Sequence, residues 1–233
     1  MIGHQLALLD TVPYQGRYST PEWQPEQTFA DEYRWTMPGP QDEPVLASVM
    51  VSLYPVGRPQ EKLPVMVTEG PVGDEFAIAQ FKLEASHAQE FAPEQPANTS
   101  FDERFRLFGY DMPETIRASQ PFSTTLYWES LAPDGQDYTV FVHLYDETGE
   151  VVAQGDSPPK KNQYPTSFWS AGEKIADTHL FTGLENVTAG NYRLVIGLYD
   201  PISGRRLAAF QADGQQWPDD TVFLGNIRGI EDK

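Results

Sequence analysis

Along the second half of the chain, apolar and polar residues alternate with a period of two, as in strands that place one face in a core. The alternation predicts strands over 104–110, 123–130, 138–145, 150–155, 175–181, 192–199, 206–210 and 221–227. Turn formers punctuate the runs, among them Pro133 with Gly135, Asp146 with Gly149, Gly190 with Asn191, and Asp200 with Gly204. Such residues accept turn dihedrals, and the connections are shorter than the dozen or so residues a parallel crossover needs. The expected fold is an antiparallel β-sandwich, immunoglobulin-like or jelly-roll. Within 138–145, Val140, Val142 and Leu144 share one face and Phe141, His143 and Tyr145 the other. The aromatic face is either a ligand platform or the seat of a neighbouring segment.

The pattern also repeats. Shifted by 146 positions, the stretch with Asp10, Pro13, Tyr18, Thr20 and Trp23 falls without a gap on Asp156, Pro159, Tyr164, Thr166 and Trp169. Ala30 and Asp31 then meet Ala176 and Asp177, and 74–78 meets 220–224 at the same shift. With slips of one and two residues, Leu53 and Tyr54 meet Leu198 and Tyr199, and Leu63 meets Leu207. Agreement in order, on rare residue types, marks an internal duplication. In the first copy it predicts strands at 6–10, 28–37, 45–54, 63–67 and 75–84. Residues 85–100, rich in Ala, Gln, Glu and Pro and without alternation, read as a connecting segment. The expected organisation is a first β module at 1–85, a linker at 86–100 and a complete β-sandwich at 101–233.

The first three strands of the second copy have no counterpart in the first. A sandwich short of three strands exposes sheet edges and apolar faces, which proteins normally cover. Three explanations stand at this point: the linker or second module packs there, the first module is a smaller self-sufficient sheet, or strands from another chain or a longer native sequence complete it.

Composition narrows the function. Eighteen Gly, twenty Pro and an aromatic content of 12 % suit many short turns and pleated, half-buried surfaces. A net charge of −18 repels phosphate backbones, which argues against nucleic acid as a partner. Without cysteine there is no disulfide framework, thiolate nucleophile or Cys-ligated zinc. The longest apolar stretch, 45–54, is roughly half the ~20 residues of a spanning helix and is broken by Ser48 and Ser52. The N-terminus carries an apolar patch but no basic region or core of signal-peptide length.

No constellation of residues points to catalysis. His4, His87, His143 and His179 are dispersed, and neither a Gly-rich phosphate loop after a strand nor a Gly-x-Ser-x-Gly elbow occurs. The acidic turns at Asp146 and Asp219 lack the alternating ligand run of a calcium loop. Asn98 and Asn186 head short glycosylation sequons. No cofactor, metal or catalytic residue is therefore expected, and the protein reads as a non-enzyme. The most specific local feature is the repeated Tyr-x-Thr-x-x-Trp loop. Its rings have two readings. Tyr164 and Trp169, with Tyr18 and Trp23 as a second site, either stack on sugar rings while Asp156 and Asp177 accept hydroxyl hydrogen bonds, or plug the end of a sandwich.

The second copy resembles a known family in the run from Tyr138 to Tyr145 with His143, then Gly149, Gln154 and Asp156, then Tyr164, Thr166, Trp169, Gly172 and Glu173, and finally Gly190, Tyr192, Gly197, Tyr199, Arg206 and Leu207. These residues look like the soluble C-terminal β-domain of bacterial membrane glycosyltransferases of the dolichyl-phosphate-mannose type, and like domains of uncharacterised surface proteins. The resemblance implies an extracytoplasmic β-sandwich without catalysis of its own. Two functions are carried forward: assembly or protein–protein interaction as a subunit of a surface or membrane-associated complex, and glycan binding as an accessory module.

Overall fold

The computed structural model describes residues 6–18, 20–36, 41–118, 120–185 and 187–230; His4, Met37 and the sequon at Asn186 lie outside them. The protein is all-β, with several sheets in a sandwich-like arrangement. No described helix is long and apolar enough to cross a membrane. The chain divides into two compact units, Met1–Gln41 with Ala47–Phe81 and Asp42–Leu46 with Lys82–Lys233.

Most of β1 (Val45–Val51) and β4 (Phe76–Leu83) belongs to the first unit; the two strands pair, and the chain between them folds into a hairpin of β2 (Val65–Val67) and β3 (Gly70–Gly73). Residues 6–36 contain two short 3₁₀ turns, Pro13–Gly16 and Thr20–Glu22, but no strand. The strands expected at 6–10 and 28–37 are therefore corrected for the described residues. The alternating pattern is present, but a strand exists only where a neighbour supplies the ladder of hydrogen bonds.

The second unit builds two five-stranded sheets. Its strands are β5 (Gln95–Phe101), β6 (Phe105–Asp111), β7 (Thr115–Arg117), β8 (Phe122–Ser130), β9 (Thr139–Tyr145), β10 (Val151–Gln154), β11 (Lys174–Phe181), β12 (Gly190–Tyr199), β13 (Ala209–Phe210) and β14 (Val222–Ile230). One sheet has the order β10-β9-β12-β14-β7 and the other β11-β8-β6-β5-β13. All pairs are antiparallel except β14 with β7, which is parallel and departs from the purely antiparallel expectation. Inward residues of both sheets form one core, centred on Phe101, Phe105, Leu126, Trp128, Leu194 and Ile196.

Two strands of the second unit escaped the sequence pattern, as did β3 in the first. β5 lies in the stretch read as linker, since its polar start around Pro96 hides an inward series of Ala97, Thr99 and Phe101 interrupted by an irregular register. β7 is three residues long, with only Ile116 buried, too short for any periodicity to register. Conversely, the strand expected over 206–210 shrinks to β13, preceded by an isolated bridge from Tyr199 to Arg206.

Candidate functional site

The repeated loop comes first, because the sequence placed its candidate ligand residues there. In each copy a proline opens a 3₁₀ turn, and the next two residues take a left-handed backbone: φ is 54° at both Tyr14 and Gln15, and 53° and 54° at Lys160 and Lys161. A carboxylate pins that strained turn, as Asp31 accepts the Tyr14 amide at 2.8 Å and Asp177 the Lys160 amide at 2.8 Å. The tyrosine closes the loop. Tyr18 donates to the Glu22 carbonyl and to Gln27 Oε1, both at 3.1 Å, while Tyr164 donates to the Phe168 carbonyl at 3.2 Å and to Glu173 Oε1 at 2.7 Å. The tryptophan amide then bonds the threonine carbonyl, Trp23 to Thr20 at 3.2 Å and Trp169 to Thr166 at 3.1 Å. Gln27 and Glu173, also 146 positions apart, complete a match that the sequence did not disclose because the residue types differ.

These bonds make the motif a scaffold, and of the two readings of Tyr164 and Trp169 the geometry matches the one in which the rings plug the end of the sandwich. Both are buried. The Trp169 ring meets Phe105 edge-on at 5.4 Å, and its indole N–H donates to the Tyr164 carbonyl at 3.1 Å. Thr166 Oγ1 accepts the Tyr138 amide at 2.9 Å and donates to the Gln136 carbonyl at 2.8 Å. Burial, with the Glu173 carboxylate beside it, pushes the Tyr164 phenol far above its ordinary range. In the first copy, Tyr18 and Trp23 are half-buried around Phe29, with ring centroids 5.1 and 4.7 Å away, so their inner faces are occupied too.

The two aspartates are likewise committed. Asp177 is fully buried, and besides the Lys160 amide it takes His179 Nε2 at 2.8 Å. The other ring nitrogen, Nδ1, faces the Gly155 carbonyl at 2.8 Å. With acceptors on both sides, the ring is suited to its doubly protonated form. Burial is the largest influence and opposes that charge, but the Asp177 carboxylate, the Gly155 carbonyl and the Asp156 charge together raise the His179 pKa above 6.5. Asp156 accepts the Val142 amide at 3.0 Å and faces His143 Nε2 at 3.2 Å. Its counterpart Asp10 has no such strand beside it and instead accepts the Tyr54 hydroxyl, which raises that phenol.

The aromatic face of β9 resolves differently along its length. Phe141 is buried beneath Arg206, whose guanidinium carbon lies 4.7 Å from the ring centroid. Arg206 is tied down by bonds to the Asp219 carbonyl at 2.9 Å and Thr221 Oγ1 at 3.0 Å. Gly197 lets Phe141 settle, since a Cβ there would lie 2.3 Å from the ring. Beyond this plug the outer sheet face opens into a groove of about 500 Å³. Tyr145, Arg193, Val195, Arg206, Trp217 and Phe223 line it. Flat apolar rings flanked by guanidinium groups suit a flat, polar-edged ligand. The sequence pointed to Tyr145, while Trp217 and Phe223 escaped it because they reach the groove from a loop and a strand far along the chain. Among the described residues, no cluster of three or more His, Cys, Asp and Glu offers a metal site.

A second feature appears when matched positions of the two copies are compared. Leu198, Leu207, Val222 and Leu224 are 1, 1, 2 and 6 % exposed, whereas their counterparts Leu53, Leu63, Phe76 and Ile78 are 50, 52, 52 and 55 % exposed. The local skeleton is nonetheless kept, as the Leu207 amide bonds the Leu198 carbonyl at 2.9 Å and the Leu63 amide bonds the Leu53 carbonyl at 2.8 Å. The first unit thus carries core residues without the sheet that makes them a core.

No protein-family model matches the chain, and no curated protein matches it. Among solved structures it is similar to a crystal structure of the C-terminal domain of wzt, at 10 % identity and a TM-score of 0.42, over 60 % of this chain and 84 % of that one. This is a distant likeness between β domains, and the glycosyltransferase-associated domain that the sequence resembles does not emerge from these comparisons.

Proposed function

We propose that the protein works by binding rather than catalysis, as a subunit that joins another polypeptide through the apolar strands of its first unit. One observation carries this reading: the four leucine and aromatic or branched positions that are buried in the second copy are open in the first. Half-exposed, such side chains forgo roughly half of the about 1.5–3 kcal/mol that full burial is worth, and exposed apolar clusters of this kind mark interaction sites. The resemblance of the second copy to the soluble domain of membrane glycosyltransferases suits an extracytoplasmic, membrane-associated setting, with the second unit as the stable platform. The test is apolar-dye binding by the monomeric chain. Dye binding should be lost in the double variant Phe76→Ser with Ile78→Ser, while the melting transition of the second unit stays in place. Absence of dye binding, together with amide exchange in β1 as slow as in β12, would sink the reading.

The groove on the second unit favours a second reading, glycan binding by an accessory module. Its rings and guanidinium groups offer the kind of stacking surface that was one of the two readings of Tyr164 and Trp169. Glycan-array binding that vanishes in Trp217→Ala and Tyr145→Ala, with the fold intact, is the expected result. Arrays that stay blank for the wild type exclude it.

A further inference from the structure

The internal repeat identifies what covers the open face of the first unit. In the second unit the counterpart of β1, which is β12, has β9 on its free side. The counterpart of β4, which is β14, has β7 on its other side in parallel. The counterpart of residues 28–35 is β11, and it becomes a strand through eight consecutive pairings with β8, from Lys174 opposite Glu129 to Phe181 opposite Phe122. All the covering strands lie in one continuous stretch, β5 to β10, and supply the inward Phe101, Phe105, Leu107, Leu126 and Trp128. At the shift of the repeat, residues 6–10 answer 152–156 at the end of β10, so β5 to β9 are the strands with no match within this chain.

Resting on the interaction reading above, we infer that the first unit binds a polypeptide segment with the strand pattern of this chain's own residues 95–155. That segment aligns one strand antiparallel on β1, one antiparallel on residues 28–35 and one parallel on β4, and lays an aromatic and leucine face on Leu53, Leu63, Phe76 and Ile78. The first copy is prepared for it. Its 28–35 stretch keeps the alternation of β11, with Phe29, Asp31, Tyr33 and Trp35 standing where Ile175, Asp177, His179 and Phe181 face inward. Even the carboxylate pairing is held ready, since Tyr33 donates to Asp31 Oδ2 at 2.6 Å where His179 meets Asp177. A second copy of this chain fits less well, because its own β5 to β10 are already paired within its second unit.

The experiment supplies the segment covalently. Residues 95–155 are copied in front of Asp10 in place of residues 1–9, which reproduces the junction of Gly155 with Asp156. Amide hydrogen exchange at 29–35 and in β1 is then compared with the unmodified chain. Expected is a slowing of about a hundredfold, the protection of paired core strands, and loss of apolar-dye binding. Register is read independently of stability, because the chain has no cysteine. Thr125 and Thr178 stand directly opposite, with hydroxyls 3.0 Å apart, so Thr125→Cys in the copied strand together with Glu32→Cys should form a disulfide. Moving the first cysteine to the copied Thr124, on the other face of the sheet, should abolish it. Unchanged exchange with no disulfide overturns the inference. So does an unmodified chain that protects the same amides by dimerising in a concentration-dependent way, a result that leaves the interaction reading standing with a different partner. A monomeric unmodified chain that already protects them defeats both.

Discussion

The two copies of the repeat differ less in sequence pattern than in what surrounds them. Both hold a left-handed turn with an aspartate, both close a loop with a tyrosine hydroxyl, and both carry alternating residues after it. In the second copy the alternating stretch is the eight-residue strand β11, paired along its length. In the first it has no partner and forms no strand. Loop geometry is a local property, set by short-range hydrogen bonds; strand identity and burial are contributed by neighbours.

The comparison breaks most visibly at the tryptophans. Trp169→Ala should cost about 3–5 kcal/mol in urea unfolding of the second unit, the range for deleting a buried aromatic ring. Trp23→Ala should leave that transition where it is. Equal effects would mean that the first unit has a packed core of its own.

Next in size is the pinned turn. Asp177→Asn removes the carboxylate facing a buried imidazole and should cost about 2–3 kcal/mol, as for lost hydrogen bonds to charged groups. Asp31→Asn, in a fully exposed setting, should leave the main melting transition unchanged. Calorimetry of both variants measures the contrast.

A subtler asymmetry lies at Gly197 and its one-residue-slipped counterpart Ser52. Gly197 faces Phe141 of β9, whereas the first copy has no such strand. Gly197→Ser should therefore cost about 1–3 kcal/mol by overpacking and displace Arg206, while Ser52→Gly should not lower the stability of the second unit. Denaturant midpoints give the first effect, and chemical shifts of the Phe141 ring give the second.

The smallest expected effect is a dependence on pH. His179 has a folded pKa raised above 6.5, so its contribution is fully present below pH 6.5 and is lost as pH rises through the folded value. Stability of the second unit should decline over that window, and His179→Gln should flatten the slope. The first copy carries Tyr33 at this position, pushed up to about 12 by its bond to Asp31, and contributes nothing there near neutrality.

Much of this was legible beforehand. The all-β class and most strands of the second copy followed from alternation. The candidate site was legible only in part. Tyr164 and Trp169 look identical in sequence whether a ring caps a core or faces a sugar, and only the Phe105 ring beside Trp169 decides which. Trp217 and Phe223 carry no periodic signal, because the groove gathers them from separate elements.

By itself the sequence determined the loops, the turns and which residues can share a face, because these depend on dihedrals and bonds within a few positions. Only the tertiary structure decided which alternating stretches become strands and which apolar residues become core, because a ladder and a buried face each need a second surface. The second unit has that surface in β5 to β10; in the first, the same kinds of residue remain open to water.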